Sequence, residues 1–208
     1  MIHAYAEEIL ENAMDVLGTA LDYAVRLQKI NGQEFLDFFL ISGIAKEFES
    51  GNPRYISGMS GRDMADEVLS ACGKQSEKIF GEYNGDYTPE YWCGWILAYF
   101  QWETGLSFKK IMSVLSFEQI INSYGVLHEA DVSKSVEVFN GLIRSESFLA
   151  RMRKKRGLTQ AALAEKSHVS LRSIQLYEQK KNDIGKAQYN NLKDIAEALQ
   201  CDIEDILE

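Results

Sequence analysis

One stretch decides the fold of the C-terminal part of this chain: Gly157-Leu-Thr-Gln-Ala-Ala-Leu-Ala-Glu-Lys-Ser-His-Val-Ser-Leu-Arg-Ser-Ile-Gln-Leu-Tyr-Glu178. It predicts two short helices joined by a tight turn at residues 167–169. Thr159 and Ser170 are candidate N-caps of the two helices, because a side-chain hydroxyl can accept a hydrogen bond from a free backbone N–H of the first turn. The stretch therefore specifies where each helix begins.

The second helix carries an unusual set of side chains on its outer face. Ile174 and Tyr177, three residues apart, share its inner face, and Leu163 and Ala164 of the first helix also face inward. The residues left to face outward are Leu171, Arg172, Gln175 and Gln179. Arg and Gln can each make paired hydrogen bonds to base edges in the major groove of DNA. This face therefore indicates a surface that contacts bases.

The pattern resembles the helix-turn-helix of the Xre/Cro-like repressor family, over residues from about 148 to 207. Gly157-Leu158-Thr159-Gln160 is similar to the family's entry into its second helix, and Val169-Ser170 and Tyr177-Glu178 are similar to the start and end of its recognition helix. The closing two helices of the family are matched by Leu192, Ile195, Ala196, Leu199, Cys201, Ile203, Ile206 and Leu207. So many agreeing spacings over about 60 residues are more specific than a lone short motif.

The resemblance implies a five-helix, lambda-repressor-like DNA-binding domain that binds a double-stranded DNA operator as a homodimer. The two half-sites of the operator should then lie about one helical turn, ~34 Å, apart. We predict that the DNA-binding residues are Thr159, Gln160, Ser170, Leu171, Arg172, Ser173, Gln175, Gln179, Lys180 and Lys181.

Two residues depart from the family's pattern. His168 stands where the turn usually has Gly, at a position that needs a positive φ angle. His tolerates this left-handed conformation, so we expect the turn to form with some strain. Lys180 replaces the small residue that is common after the recognition helix. This predicts an altered path of the chain where it leaves the helix, and an added contact to a DNA phosphate.

The charge of the chain is divided unevenly. Residues 147–208 hold eleven Lys or Arg and nine Asp or Glu, a net charge of +2, whereas the whole chain carries −9. Residues 1–146 hold the other eleven basic and twenty-two acidic residues, so their net charge is −11. This asymmetry favours two domains with different partners, which we place at residues 1–145 and 146–208. A basic cluster at residues 151–156 precedes the turn motif and can attract phosphate locally.

The first 145 residues have the apolar patterns of a helical bundle. Residues 3–28 predict one long helix that ends at Asn31-Gly32, with a stripe at Leu10, Ala13, Leu17, Ala20, Ala24 and Leu27. The stripe favours a bundle-core helix over a dimer seam.

Thr88-Pro89-Glu90 opens a nearly all-apolar helix that ends at Gly105, which we expect at the centre of the bundle. Its aromatic residues favour core packing over an aromatic ligand box. We expect a loop at residues 74–86 and an all-α chain.

The sequence shows no catalytic or cofactor-binding motif. His3, His128 and His168 are isolated, and no P-loop or dinucleotide fingerprint is present, so we predict that the protein is not an enzyme and uses neither a cofactor nor a metal. Three cysteines without a C-x-x-C pair imply neither a zinc site nor a disulfide framework, and they fit a cytoplasmic protein. No apolar run reaches the ~18 residues of a membrane span.

The N-terminal part is similar, more loosely, to a helical domain that precedes an Xre-type motif in bacterial proteins that look like antitoxins of toxin–antitoxin operons. The similar phrases are Phe39-Leu-Ile-Ser-Gly-Ile-Ala, Gly51-Asn-Pro-Arg-Tyr-Ile-Ser-Gly-Met-Ser-Gly, the helix after Pro89, and Leu127-His-Glu-Ala-Asp-Val-Ser-Lys. We predict a sequence-specific DNA-binding transcriptional repressor that regulates its own operon. The alternatives are an antitoxin whose N-terminal domain neutralises a cognate toxin protein, and a repressor whose N-terminal domain senses a small molecule.

Overall fold

The computed structural model describes residues 3–77 and 88–208, and this part of the chain is helical without a β-strand. The all-α prediction is confirmed. The chain divides into two compact units, Met1–Phe139 and Asn140–Glu208, which we call the N-terminal and the C-terminal unit. The division falls inside one helix, whereas the predicted domain boundary lies after that helix and stays a prediction. Most of the predicted loop at residues 74–86 lies outside the described residues.

The helices of the N-terminal unit are short apart from two, which form its centre. Their bounds are Glu7–Asp22 (α1), Gly32–Ile41 (α2), Ile44–Glu49 (α3), Pro53–Ile56 (α4), Gly61–Ala71 (α5), Pro89–Thr104 (α6), Phe108–Met112 (α7), Phe117–Leu127 (α8) and Val132–Arg144 (α9), the last of which continues into the C-terminal unit. Among the described residues, no helix is long and apolar enough to cross a membrane.

The core of the N-terminal unit forms where α1 packs against α6 and α5. The predicted stripe is buried from Leu10 to Ala24 and half-buried at Leu27, which confirms the bundle-core interpretation. Gly94 of α6 lies directly on the backbone of α1: a Cβ atom there would stand 2.3 Å from the carbonyl oxygen of Leu17. Because only glycine permits this distance, α6 crosses α1 closely and is buried on most sides. This confirms that α6 is central.

The predicted ends of the first helix need correction. α1 begins at Glu7 rather than at residue 3, and it continues after Asp22 as a π-helical turn, Tyr23–Leu27. The left-handed residue that follows is Lys29, with φ 58°, and not Gly32. Asn31 instead caps α2, because its side chain accepts hydrogen bonds from the backbone N–H groups of Gln33 and Glu34. Asn31-Gly32 therefore opens a helix instead of closing one.

The C-terminal unit contains the two helices of the predicted turn motif. Its helices after α9 are Phe148–Lys155 (α10), Gln160–Ser167 (α11), Leu171–Glu178 (α12) and Tyr189–Leu199 (α13), with 3-10 helices at Ile184–Lys186 and Ile203–Asp205. The fifth helix of the predicted domain is therefore a single 3-10 turn. Leu163, Ile174, Ile195 and Leu199 are fully buried in one core, and Tyr177 packs partly buried against it.

Candidate nucleic-acid interface

The turn between α11 and α12 is built as the sequence predicts. The hydroxyl oxygen of Thr159 accepts a hydrogen bond from the N–H of Ala162 at 3.1 Å, and that of Ser170 accepts one from the N–H of Ser173 at 3.0 Å. His168 ends α11 in the left-handed conformation, with φ 54° and ψ 18°. These three positions set the direction in which α12 leaves the turn.

A partly buried ion pair holds the C-terminal end of α12. Glu178 accepts two hydrogen bonds from the guanidinium of Arg153 on α10, at 2.6 and 2.9 Å, and one from the amide nitrogen of Gln160 on α11, at 2.8 Å. Arg153 also donates to the carbonyl oxygen of Leu158 at 2.7 Å. The carboxylate of Glu178 raises the pKa of Arg153. One charged pair thus joins α10, α11 and α12.

Two other arginines of the basic cluster also bond within the C-terminal unit. Arg151 donates to the carbonyl oxygen of Leu142, at 3.0 Å, at the end of α9. Arg156 donates to the carbonyl oxygens of Leu199 and Gln200, both at 2.6 Å, at the end of α13. Carbonyls at a helix C-terminus lack partners within the helix, so both arginines act as caps. Together with Arg153, they show that most of this cluster is structural.

The outer face of α12 is exposed where we predicted contact with DNA bases. Arg172 and Gln179 are exposed, Gln175 is half-buried, and Leu171 remains 41 % exposed although it is apolar. Within the described part of the chain, the side chains of Arg172 and Lys181 have neither an ion pair nor a hydrogen bond. A guanidinium without an internal partner can donate two hydrogen bonds to a guanine edge.

Other predicted DNA-binding residues already have partners inside the unit. Gln160 is bonded to Glu178, as described above, and the hydroxyls of Ser170 and Ser173 lie 2.8 Å apart. The ammonium of Lys180 lies 2.7 Å from a carboxylate oxygen of Glu208. Lys180 is also left-handed, with φ 53°, which agrees with the altered exit expected at this position. A phosphate that contacts Lys180 would have to compete with Glu208.

The sequence alone does not reveal the roles of Glu178 and Arg153. In the sequence, Glu178 marks only the end of the predicted recognition helix, and Arg153 is one of several cations. A carboxylate at the C-terminal end of a helix is unfavourable beside the helix dipole, so Glu178 in this position is a signal that it pairs with a cation. The partner itself is separated by 25 positions in the chain, and periodicity does not identify it.

The fold and this face define a helix-turn-helix DNA-binding domain. In agreement, residues 149–206 match the family model described as helix-turn-helix. The match confirms the predicted motif over almost the same residues and supports a DNA-binding regulator of transcription. No match was found among curated proteins or among solved structures. The similarity of the N-terminal part to antitoxin proteins stays a prediction.

Proposed function

We propose that this protein is a sequence-specific transcriptional repressor that binds an operator in its own operon as a homodimer. The observation that carries the proposal is the contrast on α12. Its inner side is fixed by the buried Ile174 and by the Arg153–Glu178 pair, whereas its outer side presents Arg172 to solvent. Bases are discriminated by side chains that are held in a defined position, so a rigid helix with an exposed arginine suits this task.

Each predicted contact residue has a role in this proposal. Arg172 donates two hydrogen bonds to a guanine, Gln175 and Gln179 are suited to adenine, and Leu171 provides apolar contact to a thymine methyl group. Lys181 neutralises a phosphate and contributes to affinity for any sequence. Thr159, Gln160, Ser170, Ser173 and Lys180 complete the proposed contact surface, and those with internal partners contribute mainly by positioning.

The charge of the N-terminal region favours a second function beside DNA binding. Residues 1–146 carry −11, against +2 for residues 147–208. Like charges repel, so this region is unsuited to contact DNA, whereas its field would steer a basic partner protein towards it. We therefore keep the antitoxin function, in which the N-terminal domain neutralises a basic toxin protein, as the second candidate.

An operator titration of the full chain tests the main proposal. The probe is the duplex immediately upstream of the protein's own coding sequence, and the control is a shuffled duplex of the same composition. We expect the upstream duplex to bind at least about a thousandfold more tightly, and transcription of a reporter from it to fall when the protein is present. Equal binding of the two duplexes would contradict sequence-specific repression.

The antitoxin function has a separate test. The chain is mixed with the product of a neighbouring small open reading frame, and complex formation is followed by size-exclusion chromatography at low and at high salt. A complex that weakens with salt supports electrostatic recognition by the acidic region. If no complex forms at low salt, this second function fails while the repressor proposal stands.

A further inference from the structure

A cavity of about 590 Å³ lies within the N-terminal unit, among α1, α6, α8 and α9. Cavities of this size are typical of binding sites for single small molecules. Aromatic rings make up a large part of its wall, contributed by Tyr91, Trp92, Trp95, Tyr124 and His128. α1 contributes three polar residues to the wall, Glu11, Asn12 and Asp15. The aromatic residues of α6 thus line a cavity in addition to packing in the core.

The aromatic wall is held together by ring contacts. Trp92 meets Tyr124 edge to face, with ring centroids 5.6 Å apart, and Tyr124 stacks on His128 at 4.2 Å. Trp92 is buried and Trp95 is half-buried, so the indole rings are fixed by the surrounding bundle. Rings fixed in this way present faces with negative electrostatic potential, which attract a cation.

The lining of the cavity also includes two acidic groups, Glu11 and Asp15. Glu11 and Asp15 are exposed and stand four residues apart on α1, so they are neighbours on one face of the helix. Asp15 accepts a hydrogen bond from the hydroxyl of Tyr91 at 2.9 Å, which ties it to the aromatic wall. No lysine or arginine is among the described residues that line the cavity. Two carboxylates on adjacent turns repel each other, and a bound cation would relieve this repulsion.

We infer that this cavity binds a small organic cation, with an ammonium or quaternary ammonium group on an apolar body. The apolar body fits against the rings of Trp92, Trp95 and Tyr124, and the charge lies between these rings and the two carboxylates. Anions are disfavoured by the same carboxylates, and a neutral molecule gains neither electrostatic contact. The inference goes beyond the proposed DNA-binding function and does not depend on it, because all the groups lie in the N-terminal unit.

Calorimetric titration of the full chain with three molecules of similar shape tests the inference. Phenethylammonium is the cation, phenethyl alcohol the neutral probe and hydrocinnamate the anion, and tetramethylammonium serves as a cation without an aromatic body. We expect phenethylammonium to bind at least tenfold more tightly than the alcohol, and hydrocinnamate not to bind at millimolar concentration. Tryptophan fluorescence should change with the same dependence on ligand, because two tryptophans line the cavity.

Matched variants identify the site. The double variant Glu11→Gln, Asp15→Asn removes the two lining carboxylates and should lose about tenfold in phenethylammonium affinity while binding of the alcohol is unchanged. The control Glu7→Gln, Glu8→Gln removes the same charge from the first turn of α1, outside the cavity, and should bind like the wild type. Circular dichroism establishes that both variants are folded.

Three results would overturn the inference. The first is equal affinity for phenethylammonium and phenethyl alcohol, since the site would then not select charge. The second is equal affinity of the two double variants for phenethylammonium, since the cation would then be attracted by the net negative charge of the protein and not by the two carboxylates of the cavity. The third is that neither cation binds at millimolar concentration. None of these results affects the operator titration, so the two proposals fail independently.

Discussion

α10 and α12 lie in the same unit, yet they use their positive charges in opposite ways. α10 and its C-cap residue hold five cations between residues 151 and 156, and the three arginines among them donate to acceptors inside the unit. α12 holds one cation, Arg172, and it is exposed. The density of charge in the sequence therefore does not show which cations are available to contact DNA; the internal partner of each cation does.

The difference has a physical cause. A guanidinium has five N–H donors in a rigid fork, so it can satisfy several carbonyl or carboxylate oxygens at once. Arg153 and Arg156 meet such oxygens at helix ends and at Glu178, whereas the outer face of α12 offers no acceptor to Arg172 among the described residues. The comparison predicts that variants of α10 change stability and that variants of α12 change DNA recognition.

The largest effect is expected for Arg153→Ala. The substitution leaves the carboxylate of Glu178, whose side chain is only 6 % exposed, without its cation. Removing one partner of a fully buried pair costs about 3–5 kcal/mol, so for this partly buried pair we expect a loss of up to that order in the stability of the C-terminal unit. Amide hydrogen exchange in α10 to α12 measures this loss of stability. Tryptophan fluorescence would not report on it, because Trp92, Trp95 and Trp102 all lie in the N-terminal unit.

A paired substitution is the control for this prediction. Arg153→Met combined with Glu178→Leu removes both charges and keeps an apolar volume, so most of the lost stability should return. A loss below about 1 kcal/mol for Arg153→Ala alone would show that the pair contributes no more than an exposed salt bridge. The claim that the arginines of α10 stabilise the C-terminal unit would then fail.

Arg172→Ala should affect DNA binding instead of stability. We expect a loss of about 1–3 kcal/mol in affinity for the operator and a relaxed preference at one base pair of each half-site. The control is Lys193→Ala, an exposed cation of α13 that pairs with Glu197 in the same helix. The prediction fails if both variants weaken operator binding equally, because Arg172 would then act only through its charge.

His168→Gly tests the turn that leads into α12. Because His168 has φ 54°, glycine should relieve strain and raise stability by up to ~1 kcal/mol, with operator affinity unchanged. Denaturant unfolding, monitored by the hydrogen exchange of α11 and α12, gives the sign of the change in stability. Lower stability of the variant would mean that the His168 side chain itself stabilises the turn.

The smallest effect is expected for Lys181→Ala. Lys181 is exposed and has no partner among the described residues, so its loss should weaken binding to all duplexes alike and reduce the slope of log affinity against log salt by about one unit. Lys180→Ala should change the slope less, because Lys180 is paired with Glu208. Titrations at several salt concentrations compare the two variants. Equal slopes would remove the distinction between free and paired lysines.

Local chemistry made much of this fold predictable from the sequence. Hydroxyl caps such as Thr159 and Ser170, the apolar stripe of α1 and the entry of α6 after Thr88 depend on neighbours within one or two helical turns. Contacts between distant residues were not predictable. The Arg153–Glu178 pair joins separate helices, and the cavity of the N-terminal unit needs α1, α6, α8 and α9 to be placed in space.

Selection of binding sites from a random DNA library is the most direct test of the claim that α12 reads an operator. The wild-type protein should enrich two related half-sites about one helical turn, ~34 Å, apart. The Arg172→Ala protein should enrich the same spacing with one base pair in each half-site no longer specified. Enrichment of no motif by the wild type, or of an identical motif by both proteins, would contradict the account.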